Sequence, residues 1–425
     1  MKPFEKLTLE NSMNAFEYGK TLVPGGVLGI RRPYNFVEGE YPVFVENGKG
    51  GKIVDIDGNE YVDFLCAYGP IILGYREEEV DKAVVQQILE KGFCFSLTQR
   101  YQNELAEKLR ELIPSAEMSI FVKTGSDTTT LALRLARAYT SRTKVMRCGY
   151  HGWHDWCVEV KGGIPEKLYE DIYEFQHNDL AALEKLLQEH GDDTAAITIT
   201  PFGHPLAKKL QSPQAGFLEG IRKLADKYNV VLIFDEIRTG FRIAMGGAQA
   251  YYNVTPDLTC IGKAMANGYA IAAVCGKEKI MKKAESDVFV SSTFFPNSLG
   301  YIAALKTIEI LQRDHVLEVI WEKGQRFMDR LETILDKYDV GAELSGIPPM
   351  FFITFRSDAE KVYRKRRNEF YTQLIRQGIF MQPYHHSYIC YRHCEEDLNR
   401  SLKAVENSLQ IVLDKYGKTQ TSLNK

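Results

Sequence analysis

A chain of 425 residues, 44% hydrophobic and 26% charged, can bury a large core and divide into two or three domains. Its formal net charge of -3, without a long run of one sign, argues against nucleic acid as a partner and against electrostatic attraction to a membrane. Residues 1–19 lack the apolar core of a signal peptide, and no later segment reaches membrane-spanning length. We therefore expect a cytoplasmic protein.

The eight cysteines are scattered through apolar surroundings without paired spacing, which predicts reduced and mostly buried thiols. Cys390 and Cys394 lie near His385, His386 and His393, so a zinc site is the alternative to consider. The spacing fits no familiar zinc motif, and the sequence around Cys390 is typical of a core strand. We expect no metal.

The first 70 residues contain an irregular arm followed by short strands. Residues 22–36 carry turn residues and two arginines without a periodic pattern. Over residues 42–64, apolar residues alternate between Asn-Gly, Gly-Gly and Asp-Gly turns, which predicts a β-meander. After a glycine-containing loop, helical periodicity covers residues 77–90 and 102–112.

The first motif with chemical meaning spans residues 118–142. A short strand is predicted to end at Lys123, followed by a turn at 124–126 and a helix that starts at Asp127. The amide groups of the first helical turn and the Ser126 hydroxyl would then point beyond the strand, a position that suits a phosphate group. A capped helix without a ligand is the alternative.

The next predicted strand, residues 144–148, is followed by Tyr150 and His151. At the carboxyl end of a strand, an aromatic ring can stack on a flat cofactor. Aromatic residues of an ordinary surface loop are the alternative, and the residues alone leave both readings open.

Between residues 178 and 237 helices and strands alternate, which predicts right-handed crossovers and a mainly parallel sheet. A buried strand at 230–234 delivers Asp235 to the carboxyl edge of this sheet, and the run 258–261 presents Lys263 at the same edge. Pyridoxal phosphate chemistry requires such a pair, because the lysine forms a Schiff base and the carboxylate pairs with the protonated pyridine nitrogen. A helix cap and a solvated lysine are the alternatives. The turn at 124–126, on the same edge, favours a cofactor site.

The last third of the chain changes pattern. Further strands are predicted over residues 271–277 and from Val288, with Thr293 in the loop that follows. A long helical region leads to a strand at 349–355, a helix whose basic residues 361–367 we interpret as a solvated face, and a terminal helix at 395–416. 

These elements predict an α/β protein of two domains and an N-terminal extension. Residues 71–305 form the large domain, in which helices sandwich a mainly parallel sheet. Residues 306–425 form a smaller α+β domain, and the arm and β-meander of residues 1–70 pack on it.

Nearly the whole chain resembles the class III, fold-type I pyridoxal-phosphate aminotransferases, and in particular their glutamate-1-semialdehyde aminomutase branch. Several separated blocks carry the resemblance. They are PGGV with Arg32, YGPIILG, TGSDTTTLALRLAR, YHG, FDEIRTGFR with GGAQ and VTPDL, IGKAMANG, and STFFPNSLG. Together they are far more specific than any one glycine pattern.

The resemblance implies a role for each residue around the cofactor ring. Lys263 corresponds to the lysine that forms the Schiff base, and Asp235 to the partner of the pyridine nitrogen. Ile237 would pack against one face of the ring while Tyr150 covers the other.

The resemblance also implies how the phosphate is held and how the protein assembles. Gly125 and Ser126 would bind the phosphate, and Thr293 would reach the phosphate of a neighbouring subunit. Proteins of this family form dimers with sites at the subunit interface, so a homodimer is expected.

On the substrate side, Arg32 matches an arginine that binds the substrate carboxylate in the aminomutases, through two parallel hydrogen bonds. We place Tyr68 and His204 on the same side.

The chain also departs from its relatives. Thr200 stands where many have a glutamate, and residues 382–393 contain no acid where aminomutases carry one. These departures predict a retained cofactor and a substrate other than glutamate 1-semialdehyde.

The favoured function is an aminotransferase that moves an amino group between an amino acid or amine and a keto acid or aldehyde, through a Lys263 aldimine and pyridoxamine phosphate. Lys263 would also move a proton between the substrate carbon and the cofactor. The alternative is an isomerase, either an aminomutase or a racemase, that returns the amine to the same molecule. A cofactor-binding protein without turnover is the third hypothesis, and the intact pair Lys263 and Asp235 argues against it.

Overall fold

The computed structural model describes residues 1–205 and 208–419. The N-terminal part contains one helix and three strands that pair antiparallel in chain order, which confirms the predicted β-meander. These elements are α1 (Glu10–Gly19), β1 (Val45–Lys49), β2 (Lys52–Asp55) and β3 (Glu60–Asp63). 

The middle of the chain alternates helices and strands as the sequence predicts. Its elements are α2 (Glu78–Glu90), α3 (Tyr101–Leu112), β4 (Met118–Val122), α4 (Gly125–Thr140), β5 (Lys144–Cys148), β6 (Ile172–Glu174), α5 (Leu180–His190), β7 (Thr194–Ile199), α6 (Phe217–Tyr228), β8 (Val231–Asp235), α7 (Gly247–Tyr251), β9 (Leu258–Ile261), β10 (Ala272–Gly276), α8 (Glu278–Met281) and α9 (Lys283–Ser286). The seven strands form one sheet in the order β4-β10-β9-β8-β7-β5-β6.

Only β10 runs against its neighbours in this sheet, so the other six strands end at one edge. The register pairs Asp235 with Cys260, which places the end of β8 beside the end of β9. Ligands bind at the carboxyl edge of such sheets. The predicted convergence of the three motifs on one edge is therefore confirmed.

Helices cover both faces of the sheet because its strands are apolar on both sides. Along β8, Val231 and Ile233 join one buried cluster with α4, whereas Leu232 and Phe234 join a second cluster with α5 and α6. This alternation is the two-residue period of a strand. It fixes the strand end, and with it Asp235, between two packed layers.

The C-terminal part begins with two long helices and ends with a third. Its elements are α10 (Ser298–Arg313), α11 (Val316–Tyr338), β11 (Ala342–Ile347), β12 (Met350–Phe355), α12 (Val362–Arg376), β13 (Ile379–Phe380), β14 (Ser387–Tyr388) and α13 (Glu395–Tyr416). Strands β11, β12 and β14 form one sheet, and β13 joins the N-terminal meander by pairing parallel to β3. The predicted α/β fold with a smaller α+β part is confirmed, while the boundaries at residues 70 and 305 stay a prediction.

Three local predictions need correction. Helix α4 begins at Gly125, two residues earlier than predicted, because Thr124 caps it and Asp127 completes the capping box at the third helical position. The predicted strand from Val288 is wrong, since residues 288–297 form turns and loop. Strand β11, at 342–347, was not predicted because its residues are only partly buried and lack a strong apolar run. Among the described residues, no helix is long and apolar enough to cross a membrane.

Candidate active site

A buried carboxylate stands at the end of β8. Asp235 is 7% exposed, and its Oδ2 accepts a hydrogen bond from His151 Nδ1 at 2.9 Å. Its Oδ1 accepts from the Ile237 amide at 3.2 Å. The His151 ring is itself buried and stacks on Trp156 at 5.9 Å between centroids. The histidine that follows β5 thus fixes the carboxylate that ends β8, which suits a carboxylate that pairs with a cationic ring nitrogen.

Lys263 follows β9 and starts a single turn of 3₁₀ helix. Its Nζ donates to the Tyr68 carbonyl oxygen at 2.9 Å. Burial, reinforced by the positive charge of Arg238, holds the pKa of Lys263 well below its usual value, although Asp235 acts in the opposite direction. A lowered pKa increases the fraction of neutral amine, which can act as a nucleophile and as a proton acceptor.

The loop that supplies the Tyr68 carbonyl is strained. Cys66, Ala67 and Tyr68 all have positive φ angles, of 47°, 54° and 68°. Such a conformation is unfavourable for residues other than glycine and persists where the surroundings enforce it. Here the Asp63 carboxylate accepts from the amides of Leu65 and Cys66, at 2.8 and 3.1 Å. The loop is thereby held with its last carbonyl against Lys263.

The first residues of α4 are packed tightly against the residues around them. A Cβ on Gly125 would lie 3.2 Å from the Ile237 side chain, and one on Gly152 would overlap with the Ser126 hydroxyl. The Thr124 hydroxyl accepts from the Asp127 amide, whereas the amides of Gly125 and Ser126 have no acceptor within the helix. Free amides at a helix N-terminus suit an anion.

Three histidines lie together close to Lys263. His385 and His386 stack with ring centroids 4.2 Å apart, and His204 lies 5.9 Å from His386. Burial, with the nearby Arg238 and Lys263 charges, holds the pKa of all three well below the usual value. These imidazoles are therefore neutral at physiological pH.

The hydrogen bonds of this histidine cluster (His204, His385 and His386) leave two polar atoms without partners. Arg238 donates to His204 Nδ1, and His385 Nδ1 donates to the His386 carbonyl at 2.9 Å. By contrast, His386 Nε2 and the hydroxyl of Tyr388 are buried without a partner among the described residues. A buried polar group without a partner is unfavourable, so such atoms mark a place where a ligand can supply the missing hydrogen bond.

The structure brings most of the predicted site residues together, but not all. Tyr68 contacts Lys263 through its carbonyl and His385 through its ring, at 5.1 Å between centroids. The Tyr150 ring is half exposed and lies 5.7 Å from the Arg238 guanidinium. Arg32 instead donates to the carbonyls of its own loop, and Thr293 lies in an exposed loop. 

Arg238, His151, His385, His386 and Tyr388 are absent from the predicted site residues. Arg238 follows Asp235, the last residue of β8, by only three residues, which was the available signal for it. The pair His385-His386, where relatives carry an acid, was the available signal for the substrate side. The sequence alone does not predict that these residues lie near His204, because only the folded chain brings them together.

The cysteines considered for zinc separate in the structure. Cys394 is exposed, whereas Cys390 lies with Cys66 and His393 within 4.8 Å. His393 Nδ1 accepts from the Cys390 amide at 3.1 Å, and its Nε2 donates to the Asp63 carbonyl at 3.1 Å. Both ring nitrogens of His393 therefore form hydrogen bonds with the backbone, which hold the end of this segment in place.

The sequence and the fold can now be compared with known proteins. The model of the aminotransferase class-III family matches residues 34–394. The chain belongs to the class III aminotransferases. It is 61% identical over 405 residues to a 3-aminobutyryl-CoA aminotransferase of Cloacimonas acidaminovorans, covering 95% of this chain and 98% of the relative. It is 32% identical over 431 residues to glutamate-1-semialdehyde 2,1-aminomutase 2 of an Exiguobacterium species, with 95% and 98% covered.

A solved structure agrees with this class III assignment. The FumI protein of Sphingopyxis sp. MTA144, in its pyridoxal phosphate internal aldimine form, superposes with a TM-score of 0.90 at 29% identity, covering 96% of this chain and 98% of that one. The predicted family, fold type and cofactor are confirmed. The roles of individual residues stay predictions.

The residues at the sheet edge fit pyridoxal phosphate. This cofactor needs a reactive amine, an anionic partner for its ring nitrogen and an anion-binding turn for its phosphate. Lys263 would supply the amine, Asp235 the carboxylate held by His151, and the Gly125–Ser126 amides the phosphate site. When bound, the cofactor withdraws electrons from the substrate carbon that carries the amine.

Proposed function

We propose that this aminotransferase acts on a 3-aminoacyl thioester of coenzyme A and passes the amino group to a keto acid. The observation that carries the proposal is the 61% identity with a 3-aminobutyryl-CoA aminotransferase over 95% of the chain. The aminomutase relatives are only 31–34% identical over similar lengths. The missing acid at 382–393 also supports a substrate other than theirs.

The substrate side suits an uncharged acyl group. The Arg32 guanidinium donates to the carbonyl oxygens of Val27 and Pro24, at 3.2 and 3.1 Å. These hydrogen bonds use donors that were expected to bind the substrate carboxylate. His386 Nε2 and the Tyr388 hydroxyl are neutral groups that have no partners in the described part of the chain. We propose that they hold the thioester carbonyl oxygen, because a neutral donor pairs with a carbonyl without the desolvation of an ionised carboxylate.

Lys263 would act as the base of the reaction. With its pKa lowered, Nζ is ready to take a proton from the amine-bearing carbon of the substrate and to return it later. The Tyr68 carbonyl keeps Nζ in place between these steps. Asp235 would hold the positive charge on the cofactor ring, and His151 would keep the carboxylate aligned.

We further propose a homodimer, with sites at the subunit interface. Several large apolar side chains are exposed in the single chain, including Leu97 at 81% and Phe289 at 82%. Phe289 and Phe294 flank Thr293, in the segment where a strand was wrongly predicted from its apolar residues. A second subunit that covers this loop would explain both its apolar character and the role expected for Thr293. 

We place the protein in the cytoplasm. All eight cysteines are free, and six of them are buried. Free thiols are typical of a reducing compartment.

The test is an assay of the cofactor-loaded enzyme with 3-aminobutyryl-CoA, free 3-aminobutyrate and glutamate 1-semialdehyde, each with a panel of keto acids. We expect 3-oxobutyryl-CoA and an amino acid to form in equal amounts. We expect kcat/KM for the thioester to exceed that for free 3-aminobutyrate by about a hundredfold, because the neutral His386 and Tyr388 groups suit an uncharged carbonyl better than a carboxylate. Equal rates for thioester and free acid would refute the thioester assignment. Conversion of glutamate 1-semialdehyde without any keto acid would establish the aminomutase alternative.

A further inference from the structure

A cluster of basic side chains lies on the first turns of α12. Arg364 and Lys365 are exposed, and Arg367 lies three positions beyond Arg364, hence beside it on the helix surface. We refer to Arg364, Lys365 and Arg367 as the basic face. From the sequence alone these residues are explained as a solvated helix surface, but their contacts argue for more.

The basic face is joined to the wall of the active site. Arg367 Nη2 donates to the Tyr384 hydroxyl at 3.0 Å, and its guanidinium lies 4.3 Å from the centroid of that ring. Tyr384 immediately precedes the buried His385 and His386, so it connects the basic face to the histidine cluster along the chain.

The positive charge of the basic face is not neutralised by the protein. Among residues 1–205 and 208–419, no carboxylate lies within ion-pair distance of its three members. Nearby acids are used elsewhere: Asp358 accepts from the first two amides of α12, and Glu369 pairs with Lys415. 

One member of the basic face also has an unused donor. The Nε of Arg367 is buried and has no partner among the described residues. Since an unpaired buried donor is unfavourable, an external acceptor at this place would be stabilising. The two observations, unneutralised charge and an unpaired guanidinium nitrogen, both indicate an anionic ligand.

We propose that the basic face binds the phosphate groups of the coenzyme A portion of the substrate. This inference rests on the proposed function. A 3-aminoacyl thioester carries its reacting amine at one end and a phosphorylated nucleotide at the other, so a protein that reacts at Lys263 meets the phosphates at some distance along the surface. Guanidinium groups bind phosphate through paired hydrogen bonds, and Lys365 adds a point charge. Binding energy at this remote end would favour turnover of the complete substrate over fragments that lack it.

The experiment compares 3-aminobutyryl-CoA with its N-acetylcysteamine thioester, which keeps the acyl group and the thioester but lacks the nucleotide. We expect the wild-type enzyme to prefer the CoA thioester. In the variants Arg364→Glu and Lys365→Glu, the ratio of the two kcat/KM values should fall about tenfold, mostly through KM for the CoA thioester, since each charge contact corresponds to about one tenfold step. The matched control is Lys223→Glu, which reverses an exposed charge on α6. It should keep the wild-type ratio.

A second readout measures binding directly. Adenosine 3′,5′-bisphosphate should inhibit the wild-type enzyme competitively against the CoA thioester, and inhibition should weaken about tenfold in Lys365→Glu and as ionic strength rises. If both variants keep the wild-type substrate ratio, the basic face is not the phosphate site, although the proposed function stands. If the wild-type enzyme turns over neither thioester, the proposed function fails first, and this inference fails with it.

Discussion

The two sides of the active site are built on opposite principles. On the cofactor side, Asp235 has a hydrogen-bond partner for each carboxylate oxygen and stands at the end of a strand packed on both faces. On the substrate side, His386 and Tyr388 lie at or next to the two-residue strand β14 and carry polar atoms without partners among the described residues. The protein itself holds the Asp235 carboxylate in place, whereas the polar atoms of the substrate side are left to pair with a ligand. We infer that a chain can change its substrate by altering the second side while the chemistry on the first is retained.

The largest effect is expected from the cofactor side. Lys263→Ala should lower kcat by more than about 10⁴-fold, because it removes both the nucleophilic amine and the base. The measurement is steady-state turnover of the thioester, with Lys223→Ala as a control for loss of an exposed lysine. An alanine variant that keeps a near-normal rate would overturn the whole assignment of the site.

The next effect tests whether His151 acts through Asp235. His151→Phe keeps the stacked ring but removes the hydrogen bond to the carboxylate, so kcat should fall about tenfold to hundredfold, as expected for a hydrogen bond to a charged group. The visible absorption spectrum of the bound cofactor should change with pH differently from the wild type, which a purely structural role would not produce. A normal spectrum and a normal rate would show that the Asp235 carboxylate does not depend on the hydrogen bond from His151.

A smaller effect is expected on the substrate side. Tyr388→Phe removes a hydroxyl that has no partner among the described residues, so the free energy of unfolding should stay within about 0.5 kcal/mol of the wild type or rise. In the same variant, kcat/KM for the thioester should fall about tenfold, because a hydrogen bond to the substrate is lost. Chemical denaturation and steady-state kinetics measure the two quantities. A large loss of stability would mean that the hydroxyl serves the fold instead of the substrate.

The smallest effect concerns pH. The pKa of His386 is lowered in the folded protein, by burial and by its charged and imidazole neighbours, so the unfolded chain binds a proton at a higher pH than the native state does. Stability is therefore complete above the ordinary histidine pKa of about 6.5 and is lost as pH falls below it, by up to about 1.4 kcal/mol per pH unit for each such histidine.

In His386→Gln this loss between pH 7 and pH 5.5 should become smaller, as measured by urea unfolding at a series of pH values. His315→Gln is the control, because His315 is exposed. The same pH dependence in wild type and His386→Gln would contradict a neutral His386 in the folded protein.

The cofactor side could be predicted because its signals are local. A strand of five buried residues ends at Asp235, a second ends two residues before Lys263, and Thr124 caps the helix that carries Ser126. Each signal lies within a few residues of the side chain that it positions. The alternation of helices and strands then brings the strand ends to one edge, whatever the loops contain.

Other features could not be predicted from local sequence patterns. The apolar residues after Val288 predict a strand, yet the segment forms turns and loop, in which Val288 is buried while Phe289 and Phe294 are exposed. Arg32 was expected to be free for a carboxylate, but its own loop offers carbonyls close by. Both outcomes depend on what surrounds a segment in space.

The amino-acid sequence by itself predicted the fold class and placed Asp235 and Lys263 at neighbouring strand ends, because short-range order and strand direction are sufficient for these. Its resemblance to a known family supplied the cofactor. Only the tertiary structure decided that His204, Arg238 and the pair at 385–386 meet in one cluster. The pair at 385–386 lies more than 140 positions beyond Arg238 along the chain, and no periodicity links them. Burial lowers the pKa of the histidines only after the parts have packed, so the neutral character of the substrate side is a property of the folded protein.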